Sequence, residues 1–212
     1  MNIKILAKLY SKRNQVYKIR IDKEEKNQLA IMKVFSSDKE KLLDIEYRNI
    51  EMLYDYGINL PKIICKDKNR LIMEYIEGDL INDLVERLDT GVWIDKLALW
   101  FSQLHKISKN SNTLLKGDVN LRNFIYSKGE IYGLDFEEIN WGDARTDLAN
   151  VCFFILTNNP SFTKEKHEMI RRFLQSYEKY SGMKLQRMGL FLRNSKNEAK
   201  KRRGKHLHNL HC

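Results

Sequence analysis

The hydrophobic pattern of the chain changes its period close to Gly78. Before this glycine, apolar residues alternate with polar residues in short runs, which is typical of β-strands with one buried face. After it, apolar residues recur every three to four positions, the spacing of helices with one apolar face. A sheet followed by a mostly helical region predicts an α+β fold with two lobes.

Five strands and one helix are predicted before Gly78. The first three strands are expected to be antiparallel neighbours, and the polar run DKEEKN forms the turn between the second and the third. Helical spacing of leucine and isoleucine then predicts a helix over residues 36–57, with a serine at its start and Gly57 at its end. The five strands are expected at residues 3–9, 15–21, 28–35, 62–67 and 70–76.

The region after Gly78 is predicted to be helical except around residues 114–142. We expect Asp79 to cap a short helix, and we expect further helices over residues 147–156 and 161–180. A core helix is indicated by a broad apolar stripe, which consists of Trp93, Leu97, Trp100, Phe101, Leu104 and Ile107. These patterns predict an N-terminal lobe at residues 1–77, a helical lobe at 78–192 and a basic tail at 193–212.

The positive charge of the chain is concentrated in residues 193–212. The chain has a formal net charge of +10, and this segment contributes +6 through seven Lys/Arg residues and one Glu. Such a cluster can bind RNA or another anionic partner, or it can be the solvated end of a helix. The sequence leaves both interpretations open.

Composition excludes several classes of protein. Hydrophobic residues make up 42% of the 212 residues, which is enough for a packed core and too much for a disordered or fibrous chain. The sequence contains no run of about 18 apolar residues, so no membrane span is predicted. Three cysteines without paired spacing disfavour a disulfide framework, and we expect a cytoplasmic protein with Cys65 and Cys152 as small core residues.

The interruption at residues 114–142 carries the polar residues that are suited to chemistry. A turn at Gly129 separates two arms of similar length, which predicts a β-hairpin that brings Asn123 and Asp135 within about 5 Å of each other. Their amide oxygen and carboxylate are hard ligands that suit Mg²⁺. Asp118 lies five residues before Asn123, where its carboxylate can accept a proton from an incoming hydroxyl. The alternative, a set of acidic surface loops, is disfavoured by the apolar residues around Asp135.

This segment resembles the catalytic segment of a known enzyme family. The run KGDVNLRNFIYSKGEIYGLDFEEINWGDARTDLA is similar to that of the aminoglycoside phosphotransferase and choline kinase group, a branch of the protein-kinase-like fold. The resemblance implies a two-lobed kinase-like fold, in which the first lobe contains a five-stranded antiparallel sheet and one helix. It also implies that Asp118 is the catalytic base, that Asn123 and Asp135 bind Mg²⁺, and that Asp147 ties down the catalytic loop.

The first lobe has suitable residues at the places where this resemblance expects the nucleotide site. Lys33 on the third strand matches the lysine that holds the α- and β-phosphates of ATP, and Glu46 on the helix matches the glutamate that orients it. The run RLIMEYIEG resembles the strand and hinge that join the two lobes, and it implies that Met73 lines the back of the adenine pocket. Main-chain hydrogen bonds to adenine are then expected from the hinge residues Glu74, Tyr75 and Ile76.

Two positions depart from the pattern of the family. Lys116 stands where the family usually has a histidine that braces the catalytic loop, so it either alters the loop or places a positive charge beside the transferred phosphate. The first hairpin, AKLYSKRNQVYKI, contains no glycine that would bring backbone amides over the phosphates. We expect Ser11, Lys12 and Arg13 to supply side-chain donors instead.

These observations predict an ATP- and Mg²⁺-dependent phosphotransferase. Its γ-phosphoryl acceptor is expected to be a hydroxyl group, on a small molecule of the aminoglycoside or choline kinase type. One alternative is a Bud32-like atypical Ser/Thr kinase or ATPase linked to tRNA modification, which the small size and the basic C-terminal segment favour. Another alternative is a pseudokinase that binds nucleotide as a scaffold, which Lys116 and the glycine-free hairpin motivate.

Overall fold

The computed structural model describes residues 2–11, 14–23 and 26–208 of the chain. Their packing divides the chain into two compact units. The first unit consists of Met1–Gly78 together with Tyr132–Glu138, and the second consists of Asp79–Ile131 and Ile139–Cys212. The predicted α+β class is confirmed, whereas the assignment of functional lobes to residues 1–77, 78–192 and 193–212 stays a prediction.

The first unit contains the five-stranded antiparallel sheet that the alternating pattern predicted. Its strands run in the order β1-β2-β3-β5-β4, so β1 and β4 form the two edges. The bounds are Asn2–Leu9 for β1, Gln15–Lys23 for β2, Lys26–Val34 for β3, Ile63–Lys66 for β4 and Arg70–Glu74 for β5. The turn between β2 and β3 falls on residues 24–25, which lie outside the described residues.

The predicted helix of the first unit is α1, Glu40–Asp55. A short 3-10 turn over Ser37–Lys39 precedes it, so the α-helix begins later than the sequence pattern suggested. Gly57 follows the last turn with a φ of 70°, a conformation that costs glycine little, and its N–H donates to Tyr54 O at 2.9 Å. The predicted helix stop at Gly57 is therefore confirmed.

Alternation of side chains across the sheet decides which residues of the first unit form its core. Five buried residues on one face form a cluster, which consists of Ile19, Ile21, Ala30, Met32 and Ile72. Cys65 packs against this cluster, as the sequence predicted. Because neighbours along a strand point to opposite faces, Lys33 lies on the other face from Met32. The strand pattern thus places Lys33 away from the apolar cluster.

The second unit is built mainly from five helices. Their bounds are Ile81–Glu86 for α2, Trp93–His105 for α3, Ala144–Thr157 for α4, Lys164–Ser181 for α5 and Met188–His208 for α6. Every residue of the apolar stripe predicted around α3 is buried, and Cys152 on α4 is buried as well. The prediction that Asp79 caps a helix is wrong, because Asp79 begins the two-residue strand β6, Asp79–Leu80, and Leu80 occupies the N-cap position.

Short strands position the loops of the second unit. The predicted hairpin forms from β9, Phe124–Ser127, and β10, Glu130–Gly133, with β9 placed between β10 and β6 in a three-stranded sheet. Lys128 and Gly129 between them have φ values of 50° and 84°, as a two-residue hairpin turn with both central residues at positive φ requires. A second small sheet, which the sequence did not predict, contains β7 (Ser108–Lys109), β8 (Asn112–Leu115) and β11 (Asn140–Gly142).

Helix α6 includes most of the basic tail that the sequence predicted at residues 193–212. It packs against α4, and the Arg145 guanidinium of α4 lies 4.6 Å from the centre of the Phe191 ring. Residues 209–212 lie outside the described residues. Among the helices that the structure describes, none is both long and apolar enough to cross a membrane.

Candidate active site

The centre of the candidate site in the first unit is the ion pair between Lys33 on β3 and Glu46 on α1. Lys33 Nζ lies 2.7 Å from Glu46 Oε2, and both residues are buried, with 7% and 1% of their surface exposed. A buried charge is costly unless it is paired and hydrogen-bonded, so the two residues depend on each other. The two side chains that the sequence selected for the phosphate-binding role are thus brought together.

Two further carboxylates contact the same ammonium. Lys33 Nζ donates to Glu137 Oε1 at 2.7 Å and lies 3.3 Å from Asp135 Oδ1. The side chain of Glu137 is 3% exposed, whereas that of Asp135 is 40% exposed. Carboxylate oxygens of Glu46, Asp135 and Glu137 all lie within 4.8 Å of one another. Three carboxylates therefore surround one lysine.

The cluster shifts the protonation equilibria of its own members. Burial raises the pKa of the Glu46 carboxyl to about 7, because the loss of hydration outweighs the attraction of Lys33. Burial would by itself lower the pKa of Lys33, but the combined charge of the three carboxylates raises that pKa above its usual value. Lys33 is therefore a permanent cation at neutral pH, while Glu46 can take up a proton.

The segment Asp135–Glu137 is held against the sheet and helix of the first unit by amide side chains. Asn49, one turn after Glu46 on α1, donates through Nδ2 to Phe136 O at 2.7 Å. Asn14, at the end of the first hairpin loop, donates through Nδ2 to Glu137 Oε1 at 3.1 Å. Asp135 itself has a φ of 57°, in the left-handed region that aspartate tolerates better than most residues. These contacts hold Phe136 and Glu137, the two residues that follow Asp135, in the first unit.

The residues predicted to bind adenine also belong to the first unit. Register across the sheet places Lys18, Ile31 and Met73 side by side, on the face that also carries Lys33. Lys18 Nζ lies 3.8 Å from the centre of the Tyr75 ring, which follows β5, so a cation–π contact joins the second strand to the predicted hinge.

The hinge main chain restricts which groups a ligand can use. The N–H of Glu74 donates to Lys62 O at 2.8 Å, which joins the end of β5 to the residue before β4. A base that needs a main-chain donor would therefore have to take it from Tyr75 or Ile76 rather than from Glu74. The carbonyl and amide roles of Glu74, Tyr75 and Ile76 otherwise stay predictions.

In the second unit, the loop between β8 and β9 is tied down by one buried carboxylate. Asp147 on α4 is 1% exposed and accepts hydrogen bonds from the backbone N–H groups of Lys116, at 2.6 Å, and Gly117, at 3.2 Å. His105 Nε2 lies 3.3 Å from the same carboxylate, and its Nδ1 lies 2.9 Å from the Tyr177 hydroxyl. The prediction that Asp147 anchors this loop is confirmed, and His105 is a buried structural residue of the same network.

The catalytic candidates of the second unit lie on this anchored loop. The side chain of Lys116 is fully buried, and its Nζ donates to Asp118 O at 3.2 Å. Asn123 Nδ2 donates to the same carbonyl at 3.3 Å, and Asp118 Oδ1 accepts from Asn120 N at 3.1 Å. Lys116 thus braces the backbone beside Asp118, which favours the loop-shaping interpretation of this lysine.

The donor set fits a magnesium ion in its chemistry. Because the Asn123 amide nitrogen points to Asp118 O, its Oδ1 is directed away as a neutral oxygen ligand, and Asp135 supplies a half-exposed carboxylate. The predicted approach of Asn123 to Asp135 joins residues of different units and stays a prediction.

Sequence reasoning missed Glu137 and Asn14. Glu137 lies in the run LDFEE, where nothing in the local pattern distinguishes its enclosed side chain from that of its exposed neighbour Glu138. No local signal identifies Glu137, because its partners Asn14 and Lys33 are more than a hundred positions away. Of the loop residues expected to replace glycine, Lys12 and Arg13 lie outside the described residues, while Ser11 is exposed and hydrogen-bonded to the N–H of Asn14 at 3.4 Å.

The sequence matches the model of a known family and is similar to proteins of known name. The family model of the RIO domain matches residues 2–139. A probable bifunctional tRNA threonylcarbamoyladenosine biosynthesis protein of Methanocaldococcus jannaschii is 33% identical over 137 residues, which are 63% of this chain and 24% of that protein. The KEOPS complex subunit Bud32 of Pyrococcus abyssi is 30% identical over 93 residues, 43% of this chain and 41% of that protein. The aligned part is thus less than half of either relative.

Comparison of the structure identifies proteins with the protein-kinase-like fold. A macrolide 2'-phosphotransferase of Brachybacterium faecium superposes with a TM-score of 0.69 at 12% identity, covering 93% of this chain and 83% of that one. A choline kinase of Cryptosporidium parvum gives 0.60 at 15% identity, with coverages of 91% and 78%. An ADP-bound aminoglycoside phosphotransferase gives 0.65 at 14% identity, with coverages of 92% and 81%. At these identities the similarity shows the fold, and the predicted kinase-like fold is confirmed.

Proposed function

The chain belongs to the RIO domain family, and from this premise we propose that it is an ATP- and Mg²⁺-dependent phosphotransferase. The observation that carries the proposal is the buried ion pair of Lys33 with Glu46, at 2.7 Å, beside the half-exposed carboxylate of Asp135. A buried lysine that is oriented by a helix glutamate is the arrangement that kinase-like enzymes use to hold the α- and β-phosphates.

In this proposal the first unit binds the nucleotide. Lys33 contacts the α- and β-phosphates, and Glu46 keeps its ammonium in place. Met73 lines the base pocket, and the hinge residues Glu74, Tyr75 and Ile76 supply its main-chain hydrogen bonds. Since the Glu74 N–H is bonded to Lys62 O, we assign the donor to Tyr75 or Ile76 and the acceptor to the Glu74 carbonyl.

Asn123 and Asp135 would hold magnesium through an amide oxygen and a carboxylate oxygen. Bound there, the ion neutralises negative charge on the phosphates that Lys33 and the hinge have positioned.

Asp118 is the proposed catalytic base, which accepts the proton of the acceptor hydroxyl as the γ-phosphoryl group is transferred. Lys116 is proposed as a positioning residue, because its buried ammonium donates to the Asp118 carbonyl at 3.2 Å. Catalysis would then rest on positioning and on charge neutralisation.

The acceptor has two candidate classes. The small-molecule alcohol of the aminoglycoside or choline kinase type rests on the fold and on the catalytic segment. A protein or water acceptor, in a Bud32-like kinase or ATPase linked to tRNA modification, rests on sequence relatives that are named for tRNA threonylcarbamoyladenosine biosynthesis and for the KEOPS complex. We favour the second class, because its relatives are 30–33% identical to this chain in the aligned parts, whereas the structural neighbours of the first class are 12–15% identical.

The proposed activity is tested by ATP turnover of the purified chain with MgCl₂. We expect Lys33→Met and Asp118→Asn each to lower the turnover at least a hundredfold. Glu51→Gln, which changes an exposed carboxylate on the same helix as Glu46, serves as the matched control and should leave turnover unchanged. Turnover that survives Asp118→Asn would point to a contaminating enzyme, whereas a wild-type chain that binds ATP without turning it over would support the nucleotide-binding scaffold.

The acceptor class is tested by two assays on the same preparation. Transfer of labelled phosphate to aminoglycosides or amino alcohols would support the small-molecule class, and transfer to protein would support the Bud32-like class. Salt-dependent binding of tRNA that is lost on deleting residues 196–205 would further support the second class. Absence of tRNA binding at low salt would count against it.

A further inference from the structure

Carboxylates accept from all three hydrogen-bond donors of the Lys33 ammonium. An ammonium carries three N–H groups, and three carboxylates accept from it: Glu46 and Glu137 at 2.7 Å and Asp135 at 3.3 Å. A phosphate oxygen that binds Lys33 must therefore take the place of one of them. The distances from Lys33 Nζ and the exposed fractions of the three side chains indicate which carboxylate is displaced.

Asp135 is the partner that leaves with least cost. Its contact to Lys33 is the longest of the three, and 40% of its side chain is already exposed. Glu137 is held more firmly, because its side chain is 3% exposed and it also accepts from Asn14 at 3.1 Å. A buried carboxylate that gave up Lys33 would lose its charged partner while it stays poorly hydrated, which is strongly unfavourable. Glu137 therefore stays on Lys33 when a ligand binds.

A persistent Glu137 changes the charge that a nucleotide meets. Because Glu137 stays on Lys33, its negative charge offsets the positive charge of the ammonium, and the carboxylate of Asp135 lies beside the pair. The site then offers the phosphates of a free nucleotide no net positive charge, although its central residue is a lysine. A divalent cation brings two positive charges and restores attraction.

Resting on the proposed function, we propose that Glu137 makes nucleotide binding by this protein selective for the metal-bound nucleotide over the free nucleotide. The selectivity comes from the Glu137 carboxylate, which stays bound to Lys33 and is held there by a hydrogen bond from Asn14. Glu137 acts through Lys33 and is a specificity-determining residue. Its conservative replacement, Glu137→Gln, keeps the shape and the hydrogen-bonding oxygen and removes only the charge.

The experiment is calorimetric titration of the full chain with ADP, once in EDTA and once in excess MgCl₂. We expect wild type to bind ADP at least tenfold more tightly with MgCl₂. Glu137→Gln should strengthen binding in EDTA by about tenfold, since a negative charge near the phosphates is removed, and change binding in MgCl₂ by less than about threefold. Glu138→Gln, the exposed neighbour, is the control and should leave both affinities unchanged.

A second variant tests the hydrogen bond between Asn14 and Glu137 and leaves Lys33 unchanged. Asn14→Ala removes the donor to Glu137, so the carboxylate can move, and we expect binding in EDTA to strengthen by about threefold. If wild type binds Mg-ADP but Glu137→Gln leaves the ratio of the two affinities unchanged, or weakens binding in EDTA, the inference is overturned while the proposed function stands. If wild type binds no ADP in either buffer, the proposed function is overturned and this inference with it.

Discussion

The buried carboxylate of Asp147 connects three residues of the second unit. Its carboxylate accepts from the buried N–H group of Lys116 and the partly buried N–H group of Gly117, and it contacts His105. Asp147→Ala leaves both donors without this partner, and an unsatisfied buried group costs about 1–3 kcal/mol. We expect the free energy of unfolding to fall by about 3 kcal/mol in urea titrations.

The matched control for that prediction is Asp79→Ala. The Asp79 carboxylate pairs with Arg87 at 3.0 Å, but both side chains are more than half exposed. An exposed ion pair contributes about 0–1 kcal/mol, so this variant should unfold almost like wild type. Equal losses in the two variants would show that the Asp147 network is not the stabilising element we take it to be.

Glu46 gives the first unit a pH dependence of defined sign. Its pKa is about 7 in the folded protein, against 4.5 for a free glutamate, so folding favours its protonated form. The stability it contributes is complete below pH ~4.5 and is lost as the pH rises through 7. We expect the difference in unfolding free energy between wild type and Glu46→Gln to fall by up to about 3 kcal/mol from pH 4.5 to pH 8. A difference that stays constant or rises over this range would contradict the assignment.

The sequence selected Lys33 and Glu46, which the structure brings together, and it left Glu137 out. Lys33 stands out because it lies inside an apolar strand, whereas Glu46 was selected through the resemblance to kinase-like enzymes. Glu137 is enclosed by residues more than a hundred positions away, Asn14 and Lys33, and no local pattern contains that information.

At the scale of helices and strands, the length of an element and the clarity of its hydrophobic period determined whether the sequence predicted it. The nine-residue strands β2 and β3 and the helix α3 contain enough repeats for an unambiguous pattern. The strands β7, β8 and β11 contain two to four residues each, which is too short for a period to be read. Helix α6 was interpreted as a basic tail, because its charged residues are distributed around the helix and conceal the face that packs on α4.

Two glycines in the second unit, Gly182 and Gly189, differ in their backbone conformation. Gly182 ends α5 with a φ of 72°, and Gly189 lies within α6. A Cβ at either position would have open space around it, so only backbone conformation distinguishes them. We expect Gly182→Ala to lower the unfolding free energy by about 1 kcal/mol, and Gly189→Ala to raise it by up to about 1 kcal/mol. Thermal unfolding of the two variants measures both signs, and a gain in Gly182→Ala would contradict the left-handed helix end.

For the whole molecule, the change of hydrophobic period near Gly78 predicted that a sheet precedes a helical region. It did not predict that a later segment of the chain returns to the first unit. The stretch Tyr132–Glu138 begins in β10, the second strand of the hairpin, yet it belongs to the first unit, where Asn49 and Asn14 bind Phe136 and Glu137. This return depends on contacts between distant parts of the chain. Sequence periodicity reports only which residues are buried, and the same burial is compatible with packing in either unit.

If the first unit binds nucleotide through Lys33, ligand binding must stabilise the folded chain as a whole. A ligand that binds only the folded state adds about 2.7 kcal/mol at a hundred times its Kd. For a chain of 212 residues this corresponds to a rise in Tm of about 5–10 °C with Mg-ADP. Lys33→Met should abolish the rise whatever its own Tm, and Lys4→Met, an exposed lysine of the same sheet, should retain it. A rise that persists in Lys33→Met would mean that ADP binds elsewhere on the protein, because the buried ammonium would then make no contribution to the binding energy.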